Sequence, residues 1–224
     1  MDNATPRKRL LPTLVGLFIA LFSLPIFTAV YRAIAGENHS NWQVLGKELA
    51  IFVLVGVLLW LVKDWEHLPM SSIGFGTARP RSSILRGLWL GLILLAVTVG
   101  LYLAMRAAGV HLGEDRAGAF RPSLWIVTVS MLRAGIAEEI FYRGYAIERL
   151  QSLTGSKVVA GLLPLTVFAA SHYRQGLGGV LAVFVLGGVL TAFYMRFRDL
   201  LANITAHFVA DFVLNVGLPL VSGG

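Results

Sequence analysis

Cysteine is absent from the 224 residues of this chain, and charged residues make up only 14% of them. The lack of cysteine excludes disulfides, thiolate metal sites and cysteine nucleophiles. Soluble globular domains carry about 25% charged residues, so the shortage of charge argues against an ordinary soluble fold. Because 56% of the residues are hydrophobic, the composition predicts an integral membrane protein.

The sequence also lacks a dense basic tract and an internal repeat, although its formal net charge is +7. Nucleic-acid-binding surfaces need clustered basic residues, whereas here the basic residues stand between apolar runs. We therefore expect no nucleic-acid partner. Basic residues are enriched in the cytoplasmic loops of membrane proteins, and their distribution predicts a multi-pass protein with its N-terminus in the cytoplasm. We expect the membrane to be a bacterial-type cell membrane.

Seven apolar segments can be marked along the chain, where one membrane span needs about 20 residues. They cover residues 10–33, 44–62, 84–106, 123–151, 157–172, 178–196 and 200–218. These segments predict an all-α fold, a polytopic transmembrane helical bundle of about seven spans surrounded by membrane lipid. Gly87 and Gly91 form a GxxxG pattern at the start of the third segment, which favours close packing against another helix.

Ionisable residues nevertheless stand inside or beside these apolar segments. They are Arg133, Glu138, Glu139, His172, His207 and Asp211. One charged residue at the centre of a spanning helix costs ~2.5–3.5 kcal/mol on insertion scales. Such residues must therefore pair, line a wet cavity or become neutral, and they are functional candidates.

The spacing of these residues predicts their relationships. Glu138 and Glu139 are adjacent, so they point about 100° apart on a helix and can serve different roles. Glu139 and Arg143 stand four residues apart, which permits an ion pair within the helix. An interfacial position for Arg143, with its head group reaching the membrane surface, is the alternative.

A polar stripe runs along the last predicted helix through Asn203, His207, Asp211 and Asn215. Because lipid cannot satisfy such a stripe, we expect it to face the interior of the bundle. If a turn near Thr154 joins two antiparallel helices, Glu138 and His172 lie nearly level, since they are about equally far from the turn. Arg133 is expected to pair locally with a carboxylate such as Glu138 or Asp211.

A carboxylate and two imidazoles that converge in an apolar cavity can activate water for attack on a carbonyl group. Imidazole or amide donors then stabilise the oxyanion. The same set could hold Zn²⁺ with an open water position, through Glu138, His172 and His207. The chain has no HExxH motif, and spacing alone leaves both the metal-free and the metal-dependent alternatives open.

Three motifs in this region resemble those of the CPBP family, which comprises CAAX proteases and bacteriocin-processing intramembrane enzymes. Residues 138–144, EEIFYRG, look like the family's EExxxR motif. Residues 168–172, FAASH, resemble its FxxxH motif, and residues 207–211, HFVAD, its HxxxN/D motif. The resemblance implies a catalytic helical core at residues 123–218, preceded by N-terminal transmembrane helices and loops at residues 1–122, within one integrated membrane domain.

The resemblance also implies a role for each matching residue. Glu138 would be the general base, His172 would help to position the water, and His207 and Asp211 would bind the oxyanion or scissile carbonyl. Glu139, Arg143 and Phe168 would support them. The Ras-converting CAAX endopeptidases that this chain resembles have asparagine at the position of Asp211. As a carboxylate, Asp211 donates to an oxyanion only when protonated and otherwise orients His207.

The predicted activity is an intramembrane endopeptidase that hydrolyses a peptide bond of a membrane-associated substrate, lipidated or not, near its C-terminus. CAAX tails, sorting tails and leader peptides are all substrates of relatives. No cofactor is expected, with Zn²⁺ as the alternative. Two other functions fit intramembrane Glu, His and Asp: a proton-coupled transporter, and a non-catalytic scaffold or immunity protein on the same fold.

Overall fold

A computed structural model describes residues 6–36, 40–76, 79–109 and 120–222. Within these ranges the chain forms seven helices and no strand, which confirms the all-α fold. The simple helices are α1 (Pro6–Ala35), α3 (Pro80–Ala107), α5 (Lys157–Ala170) and α6 (Gly176–Phe197). Three helices contain π-helical turns: α2 (Asn41–Trp60, then Leu61–Trp65), α4 (Leu124–Glu138, Glu139–Ile147, Glu148–Thr154) and α7 (Leu200–Phe212, Val213–Gly217, Leu218–Ser222). They correspond one to one to the predicted segments.

Five of the seven helices, α1, α2, α3, α6 and α7, are long and apolar enough to cross a membrane. Their outward faces expose large apolar side chains such as Phe18, Val53 and Leu92, as a surface in contact with lipid would. Helix α5 is shorter, with 14 residues. The middle of helix α4 is enclosed: the helix contacts α1, α2, α5 and α7, and every residue of its π-helical segment is buried.

Helix α3 packs against α7, and the two glycines of the GxxxG pattern permit it. A Cβ atom on Gly87 would lie 2.5 Å from Thr205 Cβ and 2.6 Å from the carbonyl oxygen of Ala202. At Gly91 it would lie 3.1 Å from a methyl group of Val209. The packing predicted from the pattern is confirmed, because small residues allow two helix backbones to approach each other.

The chain turns at Gly155, between α4 and α5. Gly155 has φ 67°, a left-handed conformation that glycine adopts without strain. Ser156 then caps α5 by accepting a hydrogen bond from the backbone N–H of Val159. The turn expected near Thr154 is thereby confirmed, and it directs α5 back along α4 so that the two helices contact each other.

Candidate active site

Glu139 lies at the centre of a fully buried polar cluster in the bundle. Its side chain is 0% exposed. Its Oε1 accepts hydrogen bonds from Arg143 Nη1 at 2.8 Å and from His207 Nδ1 at 2.8 Å. Its Oε2 accepts from the side-chain amide of Asn203 at 3.1 Å. Three donors from two helices therefore hold this carboxylate, and no part of it faces solvent.

The pairing of Glu139 with Arg143 confirms the ion pair expected from their spacing. Arg143 is 1% exposed, so the alternative that it reaches the membrane surface is wrong. Its Nη2 donates to the carbonyl oxygen of Gly187 at 3.2 Å, and its guanidinium lies 4.5 Å from the centre of the Phe168 ring. Arg143 and Phe168 thus connect α4, α5 and α6 behind the site.

Glu138 differs from Glu139 because it lines a cavity of about 260 Å³. The side chain of Glu138 is 14% exposed. Its Oε1 accepts from Arg133 Nη1 at 3.2 Å, and its Oε2 lies 3.9 Å from His207 Nε2. The two adjacent glutamates therefore occupy different environments: one is sealed by donors, and the other is accessible from the cavity.

Arg133 pairs with Glu138 as expected, and also with Glu48, which was not among the residues predicted from the sequence. Glu48 is 1% exposed, ion-paired with Arg133, and 3.2 Å from the amino group of Lys47. Ser130 donates a further hydrogen bond to it at 3.1 Å. Glu48 stands inside the apolar segment 44–62, so the cost of a charge in a membrane helix could have identified it.

His172 lies just after the C-terminal end of α5 and lines the same cavity as Glu138. Its Nδ1 is 2.8 Å from the carbonyl oxygen of Phe168. Because a carbonyl oxygen only accepts, Nδ1 carries the proton in this contact, and in the neutral ring Nε2 is left as an acceptor. The imidazole also packs edge-on against the Phe168 ring, with 4.9 Å between ring centres.

His207 approaches Glu138 from α7, and Asp211 contacts His207; neither is among the residues that line the described cavity. His207 Nε2 lies 3.4 Å from Asp211 Oδ2, while its Nδ1 is bound to Glu139. Of the polar stripe on this helix, Asn203 and His207 are buried and Asp211 is half-buried at 31% side-chain exposure. Asn215 is exposed and donates to the backbone carbonyl of Asp211.

Residues 120–213 match the model of a family described as type II CAAX prenyl endopeptidase Rce1-like. Over these residues the chain is similar to that family, and we call them the Rce1-like segment. The match contains all three motifs and confirms the resemblance to CPBP intramembrane proteases. No curated protein and no solved structure matches the chain. In general terms the match supports a membrane-embedded endopeptidase of the CAAX type that acts on a peptide substrate.

In the zinc alternative, Glu138, His172 and His207 of the Rce1-like segment would have to coordinate the same ion. Across residues 6–36, 40–76, 79–109 and 120–222, no group of three or more His, Cys, Asp or Glu side chains could hold a metal ion. The two ring nitrogens of His207 already face carboxylates. This arrangement does not fit a three-ligand zinc site, and the expectation that no cofactor is required stays a prediction.

The cavity beside the Rce1-like motifs is rich in cationic side chains. Four basic residues line it together with Glu138, namely Arg32, Lys47, Arg133 and Arg174. Apolar side chains of α1 and α2, including Leu24, Pro25 and Ile51, form the rest of that wall. The cavity therefore combines an apolar wall with basic side chains, two of which, Lys47 and Arg133, are paired with Glu48.

A second buried ionic cluster lies away from the cavity and joins the Rce1-like segment to α1 and α2. We call it the closed cluster; its members are Thr13, Glu66, Ser72, Tyr145 and Arg149. Arg149 Nη2 lies 2.7 Å from Glu66 Oε2, and its Nε donates to the same carboxylate. Tyr145 Oη and Thr13 Oγ1 also donate to Glu66, at 2.8 and 2.9 Å. Glu66 is 1% exposed, so its charge is compensated inside the protein.

Proposed function

We propose that this protein is an intramembrane endopeptidase in which Glu138 activates the water that hydrolyses a peptide bond. The observation that carries the proposal is the difference between the two adjacent glutamates. Glu138 lines a cavity, with Arg133 and His207 beside its carboxylate, whereas Glu139 is saturated by three donors. A general base must reach the proton that it removes, and of these two Glu138 alone can do so.

In this proposal, His172 and His207 complete the site. His172 presents an acceptor nitrogen that can orient the water, because its other nitrogen is bound to the Phe168 carbonyl. His207 is held through Nδ1 by Glu139, and in its imidazolium form it donates from Nε2 towards the reacting carbonyl. The contact of Asp211 with Nε2 supports a role in orienting His207 rather than a direct role as an oxyanion donor.

The cationic lining of the cavity favours a substrate that ends near the cut bond, because a free C-terminal carboxylate would meet positive charge there. The apolar wall formed by α1 and α2 suits an aliphatic or lipid-modified neighbouring residue. We therefore propose cleavage near the C-terminus of a membrane-associated substrate. We also propose that the N-terminus is cytoplasmic in a bacterial-type cell membrane, as the basic residues favour.

The test uses the purified full chain in liposomes with peptides that end in a free carboxylate or in an amide, each with and without a prenyl group. Glu138→Gln should lower kcat by about 10²–10⁴-fold, the usual contribution of a general base, without loss of folding. Glu148→Gln is the matched control, since this carboxylate of the same helix faces Arg198 and Tyr194 instead of the cavity. A chelator should leave the activity unchanged.

Full activity in both Glu138→Gln and His172→Ala would make the site assignment wrong. Equal cleavage of acid and amide peptides would contradict the preference for a free C-terminus. Proton or ion flux that depends on Glu138, without proteolysis, would favour the transporter. Complementation of a knockout by Glu138→Gln would favour the scaffold or immunity protein.

A further inference from the structure

Tyr142 has a buried hydroxyl group beside the proposed catalytic base. It is 2% exposed and stands four residues after Glu138, inside the π-helical segment of α4. Its ring packs against Phe168 with 5.1 Å between ring centres. Tyr142 lines the cavity together with Glu138, Ser171 and His172. Its hydroxyl lies near that of Ser171, which donates to the Phe168 carbonyl oxygen. Among the described residues, no group makes a hydrogen bond of good geometry with the Tyr142 hydroxyl.

An unpartnered hydroxyl in a buried position destabilises a protein, because it has lost its hydrogen bonds to water. Phenylalanine would fill the same space beside Phe168 without that cost. Three residues further along the same segment, Tyr145 is also buried, and its hydroxyl donates to Glu66 at 2.8 Å. The segment thus has one tyrosine whose hydroxyl is bound within the fold, and one in the wall of the cavity whose hydroxyl is buried without such a bond.

We propose that the hydroxyl of Tyr142 donates a hydrogen bond to the scissile carbonyl oxygen, and more strongly to the oxyanion that forms from it. This inference rests on the proposed function. An ionised Asp211 has no proton to donate. His207 can donate from Nε2 only in its imidazolium form, because its Nδ1 proton is bound to Glu139, so a second donor would complete the oxyanion site. A neutral phenol in a cavity with restricted access to water is well suited to stabilise a developing negative charge.

In the proposed hydrolysis, Glu138 takes a proton from water and later returns it to the leaving nitrogen. The water O–H bond breaks and its proton goes to Glu138, while the water oxygen forms a bond to the carbonyl carbon. The π-electron pair moves onto the carbonyl oxygen, which accepts the hydrogen bond from Tyr142 without taking its proton. The carbonyl then re-forms, the C–N bond breaks, and the leaving nitrogen takes the proton from Glu138.

The experiment compares Tyr142→Phe with Tyr145→Phe in the full chain, using a peptide that the wild type cleaves. We expect Tyr142→Phe to lower kcat by about 10²–10³-fold, as removal of an oxyanion donor does, with KM nearly unchanged. Its Tm should be equal to or above that of the wild type. Tyr145→Phe should lower Tm and leave the kcat of the folded protein unchanged, because its hydroxyl serves the closed cluster.

Inhibition by a peptide aldehyde gives a second readout, because its hydrate mimics the tetrahedral intermediate. The inhibition constant should weaken in Tyr142→Phe by about the same factor as kcat. Wild-type kcat in Tyr142→Phe, while Glu138→Gln is inactive, would overturn this inference and leave the proposed function standing. A fall in Tm as large as that of Tyr145→Phe, or an effect on KM alone, would also overturn it. A wild type that cleaves no peptide would overturn both proposals.

Discussion

Two buried ionic clusters connect helix α4 to the first two helices, and they differ in what their polar groups contact. The closed cluster surrounds Glu66 with donors from Thr13, Tyr145 and Arg149. The second, which we call the cavity cluster, consists of Glu48, Arg133, Glu138, Tyr142 and His172. In the closed cluster the glutamate and the tyrosine bind each other. In the cavity cluster Glu138 is partly exposed and the hydroxyl of Tyr142 has no partner within the described ranges.

The comparison shows that residue type does not separate structural polar groups from catalytic candidates in this bundle. Both clusters contain glutamate, arginine and tyrosine, and each joins α4 to other parts of the chain. The useful distinction is whether the polar groups are hydrogen-bonded to one another inside the protein, as Glu66 and Tyr145 are, or belong to side chains that line the cavity, as Glu138 and Tyr142 do. We expect mutations in the closed cluster to change stability, and mutations in the cavity cluster to change activity as well.

The largest effect on stability is expected for Arg149→Met. The change leaves the carboxylate of Glu66 buried without its cation, and breaking a buried pair in this way costs about 3–5 kcal/mol. Chemical denaturation in detergent micelles measures the loss. Activity per folded molecule should stay at the wild-type level. A loss of activity greater than the loss of folded protein would break the distinction between the two clusters.

Glu48→Gln should have a smaller effect on stability and an additional effect on rate. Arg133 and Lys47 lose a shared charge, so we expect a loss of about 1–3 kcal/mol. Because Arg133 also contacts Glu138, a loss of ~1.4 kcal/mol in transition-state stabilisation would lower kcat about tenfold. Peptide hydrolysis and Tm are measured on the same sample. An unchanged kcat would mean that Glu48 contributes to stability and not to the rate of hydrolysis.

Thr13→Val tests the closed cluster at a single hydrogen bond. It removes the hydroxyl that donates to Glu66 at 2.9 Å and keeps the shape of the side chain. We expect a loss of about 0.5–1.5 kcal/mol, seen as a modest fall in Tm, with kcat unchanged. In the double variant with Tyr145→Phe, the loss of stability should differ from the sum of the two single losses, because both hydroxyls donate to the same oxygen of Glu66.

The smallest effect is expected at the exposed pair of Arg198 and Glu148. Arg198 lies between the α6 and α7 spans, and its hydrogen bond to Glu148 raises the pKa of the guanidinium above its ordinary value. It is also 56% exposed and has φ 48°. Arg198→Asn removes the ion pair and retains a residue that tolerates this backbone conformation. We expect a change of at most about 1 kcal/mol, reduced further by salt.

The helices and part of the site could be predicted because their determinants are local. Apolar runs marked the seven helices, and a spacing of four residues indicated the pair of Glu139 and Arg143. The partner of Arg133 on another helix could not be found in this way, because Glu48 lies 85 residues away in sequence. The lack of a hydrogen bond to the buried Tyr142 hydroxyl could not be predicted either, because it depends on how the helices pack around it.

The position of the cavity along α1 links topology to the choice of substrate. Helix α1 begins at Pro6, and the cavity touches it between Leu24 and Arg32, in its second half. With α1 spanning the bilayer, as its length and composition allow, the cavity would lie in the half opposite the N-terminus. With a cytoplasmic N-terminus, the enzyme would trim tails that emerge on the outer side of the membrane; with the reverse insertion, it would trim cytoplasmic tails. Labelling of an N-terminal tag in sealed vesicles would thus identify which set of membrane proteins to search for substrates.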